Sequence, residues 1–352
     1  MSTRTALILV GLFSLLWTPS VLAQEEPQTP DDGRVDLATD KGLQFLAATQ
    51  LPDGSWPTNC GPSTGITSVA VLAFMAKGNV PGQGPYGETL NRGIRFVLSQ
   101  AQPTGVLCAK NAQSAAMYNH GMSTLMLSES LGMCDADLAS EIRPILSRAV
   151  KLTLKAQGIQ KNNPAHVGGW RYDPASADSD LSCTGWQLLS LRAARECGAD
   201  VPKEAIDAAV DYIKRSAGGG GFRYQATDTW GSSRSLSGTG ILSLEICSRH
   251  QEPEALTAGN FLVEHPPLWD PAEGRFFYYS AYYCSQAMFQ LGSRYWDIER
   301  PRLEAILISV QRPDGSWPIC DNVEQLGGPT YYTSMAVLTL SVKYHYLPIY
   351  QR

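Results

Sequence analysis

The sequence predicts an all-α fold, a single α/α toroid in which six helical hairpins close into a ring. Three observations lead to this prediction. Pairs of helices repeat around glycine-rich turns, the second helix of each pair is apolar on nearly all sides, and the first and last pairs are the most alike. The 352-residue chain is 43% hydrophobic and 17% charged, so it has ample apolar residues for a large core.

The first residues have the pattern of a signal peptide. A short basic head that ends at Arg4 precedes the apolar run Ala6–Trp17, and the small residue Ala23 ends a typical cleavage site. The apolar run is too short to span a bilayer. We therefore expect export to a periplasm or to the outside of the cell; the alternative is an uncleaved anchor.

These features divide the chain into three parts. Residues 1–23 are predicted to be the signal peptide, residues 24–35 a flexible leader, and residues 36–352 the toroid domain. No later stretch is long and apolar enough for a membrane span. The net charge of −5 and the lack of a basic run argue against nucleic acid as a partner.

The clearest repeat joins the two ends of the chain. An apolar-striped segment, a glutamine and the hexapeptide PDGSWP occur in that order in both places. The glutamines are Gln50 and Gln311, and the tryptophans are Trp56 and Trp317. Weaker copies between them place Trp170 and Phe222 at the tryptophan position, and the copy near 259–264 is more degenerate.

A second apolar segment follows each turn. Because these segments are apolar nearly all round, we expect them to be buried inner helices, covered by the amphipathic helices that precede the turns. They are Thr67–Phe74, His120–Leu127, Thr184–Leu191, Ser237–Leu244, Ser285–Leu291 and Thr333–Leu340.

The arrangement of the repeats favours a ring over an open array. An open array needs atypical polar units at both of its ends. Here the two terminal units match best, which predicts that the first unit packs on the last around a central cavity.

This repeat resembles that of the squalene cyclases and the protein prenyltransferase β-subunits. The spacing Lys/Arg-Gly-x-x-Phe-Leu-x-x-x-Gln-x-x-x-Gly-x-Trp is met in full from Lys41 to Trp56, in part from Ile306 to Trp317, and the resemblance covers about residues 36–348. It is specific for fold more than for activity. It implies that the glutamines and tryptophans of the repeat tie one unit to the next.

The resemblance also permits a test for metal-dependent prenyl transfer. In the β-subunits the zinc ligands are the two ends of an Asp-x-Cys and a histidine. The matching positions here are Asp180, Ser182 and Tyr332. Two of the three ligands are missing, so we expect neither a metal nor another cofactor.

For the cyclases, the resemblance points to the segment Asp178-Ser179-Asp180-Leu181. Cyclases protonate an alkene with the middle aspartate of Asp-x-Asp-Asp, so Asp180 takes the place of the acid and Asp178 that of its neighbour, while Leu181 replaces the last aspartate. The alternative is that Asp180 caps the third inner helix. The known triterpene cyclases also have two helical domains, which counts against full cyclase function in a single toroid.

Aromatic residues near the starts of the inner helices are candidates for a ligand cavity. Inward-pointing tyrosines would form an amphipathic cup for an apolar ligand; the alternative is that some pack between the helix layers. The candidate cavity residues are Tyr118, His120, Tyr279, Tyr282, Tyr283, Tyr331 and Tyr332.

Arginines follow the turn aromatic in three units. Arg171, Arg223 and Arg275 lie near the positive ends of the inner helices and could form a rim that attracts a diphosphate or carboxylate. The alternative is that each arginine only pairs with a nearby aspartate, from the set Asp173, Asp178, Asp180 and Asp228.

Eight cysteines lie in the exported part, where disulfides form. Cys60 and Cys320 occupy matching turns of the first and last units, so a bond between them would lock the ring. Cys108 is a rival partner, Cys134 and Cys197 are a second candidate pair, and some cysteines could be buried thiols.

Two classes of function follow. The first, which we favour because the zinc set and the complete acid motif are missing, is a module that binds an isoprenoid-like or peptide ligand in the aromatic cavity. The second is a class II terpenoid cyclase-like enzyme that uses Asp180 as general acid, with Tyr279, Tyr282, Tyr331 and Tyr332 as cation-stabilising walls.

Overall fold

The structure is a computed structural model that describes residues 32–109, 116–229, 231–270 and 276–351. In this part of the chain, twelve α-helices and one small antiparallel hairpin, β1 (Ala217–Gly218) with β2 (Gly221–Phe222), form the regular secondary structure apart from short 3-10 turns. The predicted all-α class is confirmed. The predicted signal peptide, residues 1–23, lies outside the described residues.

The helices alternate in chain order between an outer and an inner layer. The outer helices are α1 (Asp32–Thr49), α3 (Gly87–Ser99), α5 (Ala136–Gln157), α7 (Lys203–Arg215), α9 (Pro253–Glu264) and α11 (Ser293–Val310). The inner helices are α2 (Thr64–Ala76), α4 (Ala116–Leu131), α6 (Leu181–Glu196), α8 (Arg234–Glu245), α10 (Phe277–Gln290) and α12 (Gly328–Leu340).

Hydrophobic patterning explains the two layers. In α2 every residue except Ile66 is buried, because its run of valine, leucine, alanine and phenylalanine has no polar face. By contrast, α7 buries only one stripe, from Ile206 to Ile213, and exposes the charged residues between. A helix that is apolar on all sides needs neighbours all round, and a one-sided helix can supply that cover.

The inner helices form a closed ring. Each inner helix packs against the next in chain order, and α12 packs against α2, while α1 packs against α12 and α11. The closed α/α toroid that the matching terminal repeats predicted is therefore confirmed.

The repeated glutamines join neighbouring units. Gln50 Nε2 donates to Gly54 O in its own turn and to Thr89 O of α3, at 3.0 and 2.9 Å. Gln311 Nε2 makes the same pair of bonds, to Gly315 O at 3.0 Å and to Ala38 O of α1 at 2.9 Å. The second bond of Gln311 crosses from the last unit to the first.

The repeated tryptophans fill the same junctions. The Trp317 indole donates to Leu307 O at 2.8 Å, and its ring is so close to Gly42 of α1 that a Cβ there would lie 2.9 Å from it. The Trp56 ring lies against Gly93 of α3 in the same way, at 3.0 Å. Glycine at these outer-helix positions therefore lets the large ring of the preceding unit approach the backbone.

The first helix begins earlier than the predicted leader allows. Residues 32–35 belong to α1, so the leader does not extend to residue 35. The physical reason is that Val35 is fully buried and Asp32 forms ion pairs with Arg300 and Lys343. These contacts anchor the start of α1 to the far end of the chain.

The carboxyl-terminal segment closes one end of the ring. The hydroxyl of Tyr350 is hydrogen-bonded to that of Tyr282, Ile349 N donates to Glu129 Oε2 at 3.3 Å, and Gln290 donates to Tyr350 O at 3.3 Å. Glu129 and Gln290 lie toward the carboxyl-terminal ends of α4 and α10, and Tyr282 lies near the middle of α10. Burial raises the pKa of Glu129 to about 8.

The predicted disulfide lock is not formed. Cys60 is an exposed free thiol and Cys320 a buried one, and Cys134 and Cys197 are free as well. Hydrogen bonds join the two ends instead: Asn59 N donates to Leu326 O at 3.1 Å, and Thr330 Oγ1 to Pro57 O at 2.7 Å. Among the described helices, none combines the length and the apolar character that crossing a bilayer requires.

We expect Gln311→Ala to lower the free energy of unfolding by about 1–3 kcal/mol, because it leaves Ala38 O and Gly315 O without their donor. Urea unfolding followed by circular dichroism measures this. Gln100→Ala is the matched control, since among the described residues Gln100 Nε2 bonds only the neighbouring Ser99 hydroxyl, and we expect no more than about 0.5 kcal/mol from it. Equal losses in both variants would contradict the proposed role of Gln311 in closure.

Candidate functional site

At the amino-terminal ends of α2, α4, α8 and α12, apolar and aromatic side chains in the first two turns are partly exposed among the described residues, although most of each inner helix is buried. We call this group the ring mouth; its members are Ile66, Tyr118, Met122, Leu236 and Tyr331.

Below the ring mouth, the interior is filled with aromatic side chains. Trp186 of α6 stacks on Tyr282 of α10 with ring centroids 5.8 Å apart and meets the Tyr283 ring edge-on at 5.4 Å. Trp186 and Tyr283 are 0% exposed and Tyr282 is 1% exposed, so no water-sized space adjoins them. Tyr282 and Tyr283 therefore plug the ring instead of lining a hollow, because stacking and the Tyr350 contact hold them together.

Asp180 caps the third inner helix. Its Oδ1 accepts hydrogen bonds from Cys183 N at 2.8 Å and from the Ser182 hydroxyl at 2.7 Å. This is the capping alternative that the sequence left open. The side chain is fully buried, and burial raises its pKa to about 6 against the opposing effects of these hydrogen bonds and of Arg171.

The second oxygen of the Asp180 carboxyl, Oδ2, takes no part in the helix cap. Oδ2 has no hydrogen-bond partner among the described residues, and the nearest charged group is Arg171 Nε, 3.7 Å away. A buried acceptor without a donor is costly, so this atom marks a place where the protein itself does not complete the hydrogen bonding.

Arg171 is held by protein groups on several sides. Its Nη1 pairs with Asp178 Oδ2 at 3.1 Å, and its guanidinium lies over the rings of Tyr172 and Tyr224 at 4.9 and 5.4 Å. Asp178 thus serves as a partner of Arg171 at the edge of the site.

The predicted anion-attracting rim is not complete in the described residues. The charge of Arg171 is matched by Asp178 and Asp180, as the pairing alternative expects. Arg223 Nη1 donates to the backbone carbonyl of Asp228 at 2.8 Å, a neutral acceptor that does not pair its charge. Arg275 lies outside the described residues.

Three candidate tyrosines make hydroxyl contacts near the amino-terminal parts of the inner helices. Tyr118 of α4 is hydrogen-bonded to Ser182 at 2.5 Å, and Tyr279 of α10 to Thr239 of α8 at 2.9 Å. Tyr331 of α12 donates to Glu324 Oε1 at 3.1 Å. The structure therefore brings Tyr118, Tyr279 and Tyr331 into one hydroxyl-bearing layer between the helix ends.

Glu324 is a site residue that the sequence did not reveal. Its two oxygens accept from Tyr278 N at 3.0 Å and from Tyr279 N at 2.9 Å, so it caps α10 from a separate segment. Burial raises its pKa to about 7. A signal did exist, because α10 starts after Phe276 and has no serine, threonine or aspartate of its own as a cap.

Two of the predicted cavity residues point elsewhere. His120 Nδ1 accepts from Leu107 N at 3.2 Å and its Nε2 bonds Thr153 of the outer helix α5 at 2.9 Å, so the ring faces outward. Burial lowers its pKa to about 4. Tyr332 stacks on Tyr278 at 5.2 Å, and Tyr278 in turn reaches Pro318 in the last turn. Both side chains serve packing between the layers.

Comparison with solved structures places the fold among enzymes of two kinds. The type II terpene cyclase MstE from Scytonema is 13% identical, with 89% of this chain and 98% of that chain covered and a TM-score of 0.58. A variant of it in complex with geranylgeranyl dihydroxybenzoate is 14% identical, with 90% of this chain and 99% of that chain covered and a TM-score of 0.55. An inactive variant of an alpha-1,6-mannanase of Salegentibacter sp. HEL1_6, in complex with alpha-1,6-mannotriose, is 11% identical, with 88% of this chain and 98% of that chain covered and a TM-score of 0.63.

At this level of identity the likeness shows the fold alone, the α/α toroid. No family model and no curated protein matches the chain. The comparison nevertheless corrects the argument from size, because this chain covers 98% of a protein named as a type II terpene cyclase. A single toroid is long enough for a protein of that class.

The described residues contain no group of three or more histidine, cysteine, aspartate and glutamate side chains that could hold a metal ion. The ring mouth carries carboxyls, hydroxyls and aromatic faces.

The capping role of Asp180 predicts a difference between two substitutions. Asp180→Ala removes the acceptor for Cys183 N and should lower the free energy of unfolding by about 1–2 kcal/mol. Asp180→Asn keeps an acceptor oxygen for Cys183 N, so its loss of unfolding free energy should be clearly smaller than that of Asp180→Ala. Chemical denaturation of both variants measures this, and equal losses would count against the cap.

Proposed function

We propose that this chain is an exported ring protein that binds a small, mainly apolar ligand at the ring mouth. The observation that carries the proposal is the contrast between the two ends of the ring. One end is closed by Tyr350 and its neighbours, the interior is filled by Trp186 and Tyr282, and the mouth keeps partly exposed apolar and aromatic side chains on several inner helices. Concave apolar sites with a few polar groups are typical ligand sites.

The size of the site favours the end of a small molecule over a peptide. The packed layer of Trp186, Tyr282 and Tyr283 limits how deep a ligand can enter. An isoprenoid-like body is a suitable class because the aromatic faces of Tyr118 and Tyr331 can cover it. The complex of the same fold with geranylgeranyl dihydroxybenzoate supports this choice. The signal-peptide pattern of residues 1–23 supports export.

A second candidate function is that of a class II terpenoid cyclase-like enzyme with Asp180 as general acid. It is favoured by one observation, the buried Asp180 Oδ2 that has no hydrogen-bond partner among the described residues. An acid that donates to an alkene needs an oxygen that is not already committed. Against it, Oδ1 is occupied by the helix cap and Arg171 favours the ionised form.

The binding proposal predicts that Tyr118→Ala weakens the affinity for geraniol or geranylgeraniol about tenfold, the equivalent of roughly 1.4 kcal/mol. Titration calorimetry on the chain from residue 24 onward measures this. Tyr346→Ala is the control, because Tyr346 is 48% exposed in the segment at the closed end. If mannotriose bound and neither alcohol did, the apolar class of ligand would be wrong.

The same ligands, together with squalene and prenyl diphosphates, separate binding from catalysis. Organic extracts after incubation are compared by mass spectrometry for the wild type and Asp180→Asn. Recovery of unchanged ligand from both proteins supports the binding proposal. Conversion by the wild type alone would replace it with the cyclase-like function.

A further inference from the structure

The hydrogen bonds at the ring mouth determine whether its tyrosine hydroxyls can donate to a ligand or accept from it. Ser182 has one hydroxyl proton, and it lies 2.7 Å from Asp180 Oδ1. An ionised carboxylate can only accept, so Ser182 donates to it. The 2.5 Å contact between Ser182 and Tyr118 therefore needs the proton of Tyr118, and the Tyr118 oxygen keeps only acceptor lone pairs.

The same reasoning applies to Tyr279. Thr239 Oγ1 donates its proton to Ser235 O at 2.9 Å. Its 2.9 Å contact with the Tyr279 hydroxyl then requires Tyr279 to be the donor. Tyr331 donates to the Glu324 carboxylate. The three tyrosines come from α4, α10 and α12, and the proton of each is committed to a protein acceptor.

Several backbone donors at the mouth are committed too. Amino-terminal N–H groups of helices normally attract anions, but at α2, α6, α8 and α10 protein oxygens accept from some of them, whereas α12 has no side-chain cap. Ser63 accepts from Ile66 N of α2 at 3.1 Å, Asp180 from Cys183 N of α6 at 2.8 Å, and Ser233 from Leu236 N of α8 at 3.3 Å. Glu324 and Asp321 take the first N–H groups of α10.

The carboxylates at the ring mouth also favour a ligand that donates hydrogen bonds. Glu324 and Asp321 lie together at the start of α10, and neither is in an ion pair among the described residues. The cation nearest to Asp180 is Arg171, and it is shared with Asp178. An acidic, acceptor-rich mouth with aromatic faces disfavours an anion and favours a cation that carries hydrogen-bond donors.

We infer that the ring mouth selects mainly apolar ligands that end in a protonated amine. The ammonium group would donate to the acceptor-only oxygen of Tyr331 beside Glu324, or to that of Tyr118 beside Ser182 and Asp180, and its other donors would find partners in water. This inference rests on the proposed binding function and adds the chemistry of the ligand's polar end.

The test compares three ligands with the same body and different ends: geranylamine, geraniol and geranic acid, titrated by calorimetry at pH 8. We expect the amine to bind about tenfold more tightly than the alcohol, and the acid to bind most weakly. Glu324→Gln should remove most of the preference for the amine. Glu141→Gln, a change on the exposed surface of the outer helix α5, should leave it unchanged.

Tyr331→Phe is the second variant, in case Glu324→Gln does not fold. It removes only the hydroxyl oxygen that is proposed to accept from the ammonium group, and it keeps the aromatic ring. It should weaken amine binding about three- to tenfold. Tighter binding of the acid, or equal binding of alcohol and amine, would overturn the inference and leave the proposed function standing. Failure of all three ligands to bind would overturn both.

Discussion

The ring depends on the junction between its last and first units. There, the Trp317 ring lies against Gly42, and Gln311 bonds Ala38 O across the seam. Every other junction joins units that are neighbours in the chain, so covalent continuity already keeps them close. Only this one must be held by packing and hydrogen bonds alone. It uses the same kind of tryptophan, glutamine and glycine contacts that Trp56, Gln50 and Gly93 make between the first and second units.

Closure restricts where the proposed ligand would bind. Six inner helices around one axis bring Trp186, Tyr282 and Tyr283 into contact, and the packed interior blocks passage. The carboxyl-terminal segment then seals one end. What remains is the mouth, where helix ends that would ordinarily attract anions are neutralised by Asp180 and Glu324. The same capping that stabilises the helices thereby sets the polarity of the site.

The sequence predicted the fold more fully than the site. Helical periodicity can be read within one segment, and repeats can be found by comparing the chain with itself. The two helix layers and the closure of the ring could therefore be predicted from the sequence. Glu324 was missed because it caps α10 from a distant segment, and such a partner has no fixed spacing. His120 and Tyr332 were placed in a cavity because the pattern identifies an inner helix but not which face of it meets the outer layer. Asp180 was foreseen as either cap or acid, and the structure assigns its two oxygens to different surroundings.

The most direct test of the account is a crystal structure of the chain from residue 24 onward, soaked with a geranyl or geranylgeranyl ligand. The account predicts ligand density at the mouth beside Tyr118 and Tyr331, above an undisturbed stack of Trp186 on Tyr282, in a ring whose Trp317 contacts Gly42. Density that runs through the ring past a displaced Tyr282, or a ring that is open at that seam, would contradict it.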